Sequence, residues 1–209
     1  MAPERIPRWV AGCEMRHGAL AWSSPGPGTM RLSAADGFQA ELRPLVARPG
    51  TPRDVSQLTH WLAADAVVAL LLVRRGGYAV GVARGPALLT HKVGTRYVQS
   101  RTAAGGWSQQ RFARRRDNQA GALVDAVQDH AVRVIGDGAG RPAHDAPAAL
   151  IVGGDRTLVG QVLTRPALHA LVDLPRASLF DLPDPRLDVL RQALTRGRAV
   201  RIALTEPAP

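Results

Sequence analysis

The stretch AVVALLLVRRGGYAVGVARGPALLTHKVG, from Ala66 to Gly94, decides the fold class. It opens with a continuous apolar run, which is typical of a strand buried on both faces of a sheet. Turn pairs beginning at Gly76 and Gly85 divide the stretch into three short segments, and such pairs mark the turns of hairpins. We therefore predict a meander or a pair of hairpins whose first strand is buried.

Helices and strands alternate in the rest of the chain. Apolar residues at helical spacing predict a long helix from Ser108 to Ile135. The run PAALIVGG predicts a buried strand, and Asp155 behind it is expected to cap the next helix. An amphipathic helix, DPRLDVLRQALTRG, and a final strand, RAVRIALTE, follow. This order predicts an α/β fold in which helices flank a mixed β-sheet.

The first sixty residues predict a small α+β segment. A helix with Ile6, Trp9, Val10 and Cys13 on one face precedes short strands around ALAWS and FQAELRPL. In the connector ARPGTPRD, Thr51 is the expected N-cap of a short helix. We therefore predict two domains, residues 1–60 and 61–209.

Charge is unevenly distributed along the chain, whose net charge is +10. Residues 66–116 hold ten Lys and Arg and no Asp or Glu, while the remainder carries seventeen of each sign. A segment without carboxylates is what a phosphate-binding surface requires, so nucleic acid is the expected partner. The alternative is a solvated surface in a chain whose basic residues are nearly all arginine.

Several classes of function are not expected from the sequence. No apolar run is long enough to span a bilayer and the first ten residues lack the apolar stretch of a signal peptide, so we expect a soluble cytoplasmic protein without a membrane partner. Cys13 is the single cysteine, and the six histidines show no metal-binding spacing. The glycine pairs lack the spacing of a nucleotide-binding loop. We predict no metal and no small-molecule cofactor.

The segment AAGGWSQQRFARRR, residues 103–116, is the candidate site. Gly105 and Gly106 let the backbone approach a partner closely. Behind them, basic residues at helical spacing form one face suited to phosphates, with Arg111, Arg114 and Arg115 as its members. A glutamine amide both donates and accepts hydrogen bonds and can orient a water molecule. The alternative is a flexible Gly-Gly hairpin with solvated glutamines.

The run GGWSQQRFARRR resembles the signature of the catalytic middle domain of eukaryotic and archaeal class I peptide release factors. In that signature GGQ-Ser is followed two residues later by Arg-Phe-Ala-Arg. The resemblance covers Ala66 to Leu204, including the strands before the loop and the strand and helix after it. The matching positions of the signature are Gly105, Gly106, Ser108, Arg111, Phe112, Ala113, Arg114 and Arg116.

One departure identifies the subfamily that the chain resembles. Trp107 stands where the glutamine of GGQ is expected, and Gln109 completes a Gly106-x-x-Gln109 pattern instead. This pattern is similar to that of the Vms-like release factors (VLRF) of actinobacterial type. No segment resembles a codon-reading domain, so a stop-codon factor is not expected.

The resemblance implies a peptidyl-tRNA hydrolase that frees nascent chains from stalled ribosomes or large subunits at the peptidyl-transferase centre. It implies that Gln109 orients the attacking water, that Gly105 and Gly106 thread the loop into the ribosome, and that no cofactor takes part. The implied RNA contacts are Arg101, Arg111, Arg114 and Arg115, with Trp107 stacking on a nucleotide or packing the loop.

Four alternatives stay open at this point. Gln110 can replace Gln109 after a one-residue shift of the loop. The reaction can be cleavage of the tRNA acceptor end through a ribose 2′-hydroxyl. A chain that has lost the GGQ glutamine can be a ribosome- or RNA-binding protein without catalysis. A free nuclease would have only His91 with Lys92 as an acid–base pair.

Overall fold

The computed structural model describes residues 1–95, 108–136 and 145–205, and along 108–120 the course of the backbone alone. The chain forms two compact units, one of Met1–Ala66 with Thr195–Pro209 and one of Val67–Leu194. This division differs from the predicted one at residue 60, since the end of the chain returns to the first unit.

The first unit contains a four-stranded antiparallel sheet in the order β1-β2-β3-β9. Sequence analysis predicted two short strands before residue 60, and the structure has three. The strands are β1 (Ala21–Gly26), β2 (Thr29–Ser33), β3 (Gln39–Arg43) and β9 (Arg201–Thr205).

Helix α1 (Ile6–His17) covers one face of this sheet. Its buried side chains are Ile6, Val10 and Cys13, and Trp9 packs beside them, as the predicted apolar face requires. They pack on alternate residues of β2 and β3, with the chain turning back at Gly18, whose φ of 83° is accessible to glycine. The predicted helix and its buried face are confirmed.

Helix α2 (Val55–Trp61) begins three residues later than predicted. The N-cap is Asp54, whose Oδ1 accepts a hydrogen bond from the backbone N–H of Gln57 at 2.8 Å. The Gln57 side chain in turn accepts from the backbone N–H of Arg53. These two hydrogen bonds resemble a capping box, in which the side chains at the N-cap and three residues later each accept from the backbone at the start of the helix. The prediction of Thr51 as N-cap is wrong.

The last strand, β9, completes the first unit. It pairs with β3 from Gln39↔Thr205 to Arg43↔Arg201. The amino terminus of Met1 donates to the carbonyl of Val200 at 2.9 Å, which joins both ends of the described chain to the same sheet region. Periodicity identifies β9 as a strand, but a strand's partner is not encoded locally.

The second unit contains a five-stranded mixed sheet in the order β6-β5-β4-β7-β8. Pairs β4–β5 and β5–β6 are antiparallel, and pairs β4–β7 and β7–β8 are parallel. The central strand β4 is buried over seven of its eight residues, as its apolar run predicts. The strands are β4 (Val67–Arg74), β5 (Gly77–Arg84), β6 (Ala87–Thr95), β7 (Ala149–Gly154) and β8 (Arg176–Leu179).

Helices flank the mixed sheet on both faces. On one face lie α3 (Ser108–Ile135), α4 (Arg156–Leu163) and a 3₁₀ helix (Pro166–Leu171). On the other, α5 (Leu187–Gly197) brings Leu190 over Gly81 of β5, where an added Cβ would meet the leucine at 3.2 Å. The predicted α/β fold with a mixed sheet flanked by helices is confirmed, and α3 has its predicted bounds.

Candidate functional site

The predicted site begins between β6 and α3. Strand β6 ends at Thr95 and α3 begins at Ser108, and residues 96–107 lie outside the described residues. The predicted positions within that segment are Arg101, Gly105, Gly106 and Trp107. Five further positions lie on the helical backbone of α3, with side chains outside the described part: Gln109, Gln110, Arg111, Arg114 and Arg115.

The C-terminal half of α3 fixes the helix to the sheet. Leu123, Val127, Ala131 and Ile135 are fully or almost fully buried in the core beneath it. At 1.5 Å per residue, Leu123 lies about 22 Å along the helix axis from Ser108. The glutamines therefore lie in the first turn of a long helix whose C-terminal half is anchored in the core.

Gln128 joins α3 to the end of α4. Its side chain is 8% exposed, and its Nε2 donates to the carbonyl of Gln161 at 3.0 Å and more weakly to that of Val162 at 3.4 Å. The backbone N–H of Thr164 also donates to the Gln161 carbonyl and that of Arg165 to the Val162 carbonyl, so the Gln128 amide adds a contact from α3 to a helix end that is already hydrogen-bonded. The Asp129 carboxylate and Arg165 form an ion pair beside it at 3.2 Å.

The N-terminus of α4 is held by a separate residue, Asp155. Asp155 Oδ1 accepts from the backbone N–H groups of Thr157 at 2.8 Å and Leu158 at 3.1 Å. The prediction that Asp155 caps this helix is confirmed. Helix α3 thus packs on α4, whose N-terminus is capped by Asp155 and whose C-terminus accepts hydrogen bonds from Gln128.

An aromatic stack holds α3 beside the end of β6. The rings of Tyr78 and His130 stack with centroids 5.2 Å apart. Tyr78 pairs with Gly94 across the strands, and a Cβ at Gly94 would lie 2.5 Å from the tyrosine ring. A glycine inside a strand often marks such a close approach. The sequence analysis missed this stack, for which the glycine was the available signal.

His130 is electrostatically disfavoured as a cation. Burial lowers its pKa below the usual 6.5, and the neighbouring charges of Arg133 and Lys92 lower it further. Its Nδ1 lies 3.0 Å from Arg133 Nη2, a separation that suits an imidazole nitrogen accepting from the guanidinium. The neutral imidazole is therefore the favoured form against Tyr78, whose cross-strand partner Gly94 lies one residue before the described end of β6.

Two arginines of the basic segment, residues 66–116, form ion pairs with carboxylates in the folded chain. Arg74 faces Asp184 at 3.6 Å, and Arg84 pairs with Asp145. Both carboxylates come from distant parts of the chain, so the sequence of residues 66–116 did not reveal them. The prediction of an unbalanced basic surface is wrong at these two positions.

His91 and Lys92 do not form an acid–base pair. They are consecutive residues of β6, opposite Gly81 and Val80 of β5, and both are exposed. Consecutive side chains of a strand point to opposite faces of the sheet. The nuclease alternative thereby loses its one candidate pair.

The described ranges contain neither a metal-binding cluster nor a membrane-spanning helix. There, no three residues among the His, Cys, Asp and Glu side chains are grouped as a metal ion requires. Across the same ranges, every helix is too short or too polar to cross a bilayer.

Residues 66–203 match the family model described as the Actinobacteria/Chloroflexi VLRF1 release factor. The match covers more than half of the chain, and the protein belongs to this family.

Two further comparisons concern curated proteins and solved structures. No curated protein matches the chain. A solved structure described as the Vms1 mitochondrial localization core is similar to it with a TM-score of 0.44 and 14% identity, over 84% of this chain and 76% of that one.

Proposed function

We propose that this release-factor protein acts on ribosomes and hydrolyses the ester between a nascent chain and its tRNA. The observation that carries the proposal is the family match over residues 66–203, which contains the whole Gly-Gly and glutamine segment. The substrate is peptidyl-tRNA on stalled ribosomes or large subunits, reached at the peptidyl-transferase centre. The outcome is release of the blocked chain, as in ribosome rescue.

In the proposed reaction a water oxygen attacks the ester carbonyl carbon. The bond from that carbon to the ribose oxygen breaks, and the ribose oxygen takes up a proton as the peptide acid leaves. Gln109 orients the water, because its amide accepts from one group while donating to another. An amide is not a general base at neutral pH, so acceleration comes from positioning.

The remaining site residues position the loop. Gly105 and Gly106 permit close passage of the backbone. The guanidinium groups of Arg101, Arg111, Arg114 and Arg115 contact rRNA or tRNA phosphates, for which their fork of donors is suited. Trp107 stacks on a nucleotide, an interaction that contributes about 1–3 kcal/mol per base.

The helix start supports separate roles for the two glutamines. Gln109 and Gln110 are the second and third residues of α3. Successive residues of an α-helix differ by about 100° around the axis. One substrate position is therefore served by one of them, and the Gly106-x-x-Gln109 spacing favours Gln109, with Gln110 as the alternative.

Two other functions have observations in their favour. Trp107 in place of the GGQ glutamine favours a ribosome-binding protein without catalysis. The same loop also suits cleavage of the tRNA acceptor end, in which a ribose 2′-oxygen attacks the adjacent phosphorus, the bond to the 5′-oxygen breaks and that oxygen takes the proton.

The test is release from stalled large-subunit complexes that carry labelled peptidyl-tRNA, comparing wild type, Gln109→Ala and Gln110→Ala. We expect wild type and Gln110→Ala to release peptide, and Gln109→Ala to lose at least about a hundredfold in rate, as positioned polar groups do when removed. Mapping the tRNA 3′ end distinguishes the two reactions: an intact end indicates ester hydrolysis and a shortened end indicates tRNA cleavage. Binding without release by any variant would contradict the catalytic proposal.

A further inference from the structure

The first sheet has an outer face that α1 does not cover. Met30, Leu32, Ala40 and Leu42 point inward from β2 and β3 to the core. The residues between them point the opposite way, because successive side chains of a strand alternate. Those residues and their cross-strand partners on β9 form what we name the outer face: Thr29, Arg31, Ser33, Gln39, Glu41, Arg43, Arg201, Ala203 and Thr205.

A carboxylate holds two guanidinium groups at the middle of the outer face. Arg31 donates to Glu41 Oε1 from Nη2 at 2.6 Å and from Nε at 3.2 Å, and Arg43 donates to Oε2 at 2.8 Å. The Arg31 and Arg43 side chains are 40% and 62% exposed. Each guanidinium has five N–H donors, so both keep free donors directed to solvent.

A third arginine leaves this cluster positively charged. Arg201 is exposed and lies directly opposite Arg43 across the β3–β9 pair. Within the described part of the chain, Glu41 is already shared by two arginines and no carboxylate pairs with Arg201. Like charges directly opposite across a sheet destabilise it. The arrangement is unfavourable for folding and favourable for an anion placed above it.

The chemistry of the surrounding residues favours a phosphate backbone. The other outer-face side chains are small or uncharged, so the guanidinium groups are accessible to a broad, flat partner. The outer face carries no aromatic ring for base stacking and no large apolar side chain to anchor a protein. Arginine is well matched to phosphate oxygens because its fork binds two of them at once.

We propose that the outer face, through Arg31, Arg43 and Arg201, binds RNA phosphates independently of sequence. This rests on the proposed function, since the RNA is that of the ribosome or its tRNA. It assigns an RNA contact to the first unit. Arg31 and Arg43 lie outside the 66–203 family match, Arg201 lies within it, and all three are distant in sequence from the glutamine segment. Glu41 is a positioning residue that sets the spacing of two guanidinium groups.

The test compares the double variant Arg43→Gln, Arg201→Gln with the control Arg8→Gln, Arg16→Gln. The control removes the same charge from exposed positions of α1 in the same unit. Binding to bulk tRNA and to purified large subunits is measured as a function of salt. We expect the double variant to reduce the slope of log K against log salt by about 1.5 to 2, because two phosphate contacts are lost. The control keeps the wild-type slope.

Thermal unfolding distinguishes binding from a structural role. Removing two opposed cations is expected to leave the Tm unchanged or raise it, whereas a structural pair would lower it. A lowered Tm with unchanged RNA binding overturns the proposal. The proposal is also overturned if the double variant loses affinity for polyglutamate while the slope of log K for RNA against log salt stays at the wild-type value. The outer face would then fit an acidic protein. The single variant Arg201→Gln repeats the test with the Arg31–Glu41–Arg43 cluster intact.

The peptide-release assay separates failure of this proposal from failure of the proposed function. At limiting protein, the double variant is expected to release peptide more slowly because it binds the ribosome more weakly, whereas Gln109→Ala binds RNA with the wild-type slope and loses release at every protein concentration. If neither wild type nor any variant releases peptide but the double variant has a reduced salt slope, RNA binding by the outer face is supported and the hydrolase proposal fails. If release occurs and the slopes are equal, the outer face is overturned alone.

Discussion

At the scale of single residues, the stack of Tyr78 and His130 shows how a small side chain makes room for a large one. Gly94 leaves the space that the tyrosine ring occupies. The ring in turn meets His130, whose Nδ1 lies within hydrogen-bonding distance of Arg133. A glycine, a ring and a neutral imidazole thus act together to hold the end of β6 against α3.

Acid is expected to weaken this stack. The folded protein lowers the pKa of His130 below its usual 6.5, chiefly through burial. The unfolded chain therefore takes up a proton at a higher pH than the folded one. The stabilising contribution is complete above about pH 6.5 and is lost as the pH falls from there through the folded pKa.

The measurement is Tm at about pH 7.5 and 5.5, on either side of the usual histidine pKa, for wild type and His130→Phe. The phenylalanine keeps a ring against Tyr78 and does not titrate, so we expect the wild-type Tm to fall more between the two pH values. His91→Gln, at an exposed position of β6, is the matched control. Equal decreases in wild type and His130→Phe would contradict the assignment.

At the scale of elements, α4 depends on its cap. Asp155→Ala removes the acceptor for two backbone N–H groups, and we expect it to lower the free energy of unfolding by about 1 kcal/mol. Asp155→Asn keeps an acceptor oxygen and should retain most of the stability. Urea unfolding measures both variants. A cost for asparagine equal to that for alanine would show that the carboxylate charge, not the cap hydrogen bond, stabilises the helix.

The elements also show what the sequence reveals and what it does not. The buried strand β4, the turns at Gly76 and Gly85 and the bounds of α3 were predicted because apolar periodicity and turn residues are local signals. The Asp54 and Gln57 capping pair was equally local and was overlooked in favour of Thr51. Strand β8 was not predicted, because four residues are too few for a period to be recognised.

The candidate site also combines features that the local sequence reveals with features that only the tertiary structure reveals. Its residues are those that the resemblance to a family signature implies, and a signature within residues 103–116 is local information. The carboxylates facing Arg74 and Arg84, and the Gln128 amide that secures α3, depend on tertiary contacts between distant residues. The Arg43–Arg201 opposition depends on the partner of β9, which no local pattern specifies.

At the scale of the whole molecule, the first unit is discontinuous in sequence and the second is continuous. The sheet of the first unit receives its fourth strand from residues 201–205, after the entire second unit has been passed. Arg198 adds to this closure by donating to Glu4 and to the carbonyl of Ala64, at 2.5 Å and 2.7 Å.

A chain truncated after Gly197 tests this dependence. It keeps α5 and lacks Arg198 and β9. We expect limited proteolysis to cut residues 1–66 rapidly while residues 67–194 persist, because the first sheet has lost a strand and an ion pair. The full chain is the control. Equal resistance of both units in the truncated chain would contradict the expectation.

The late return of β9 sets an order for biosynthesis. Domains usually mature from the amino terminus onward as the polypeptide emerges. Here the sheet of residues 1–66 closes only after residues 201–205 have been translated, while the unit bearing the glutamine helix can assemble earlier. Maturation of this protein therefore proceeds from the middle outward, with the amino-terminal unit finished last.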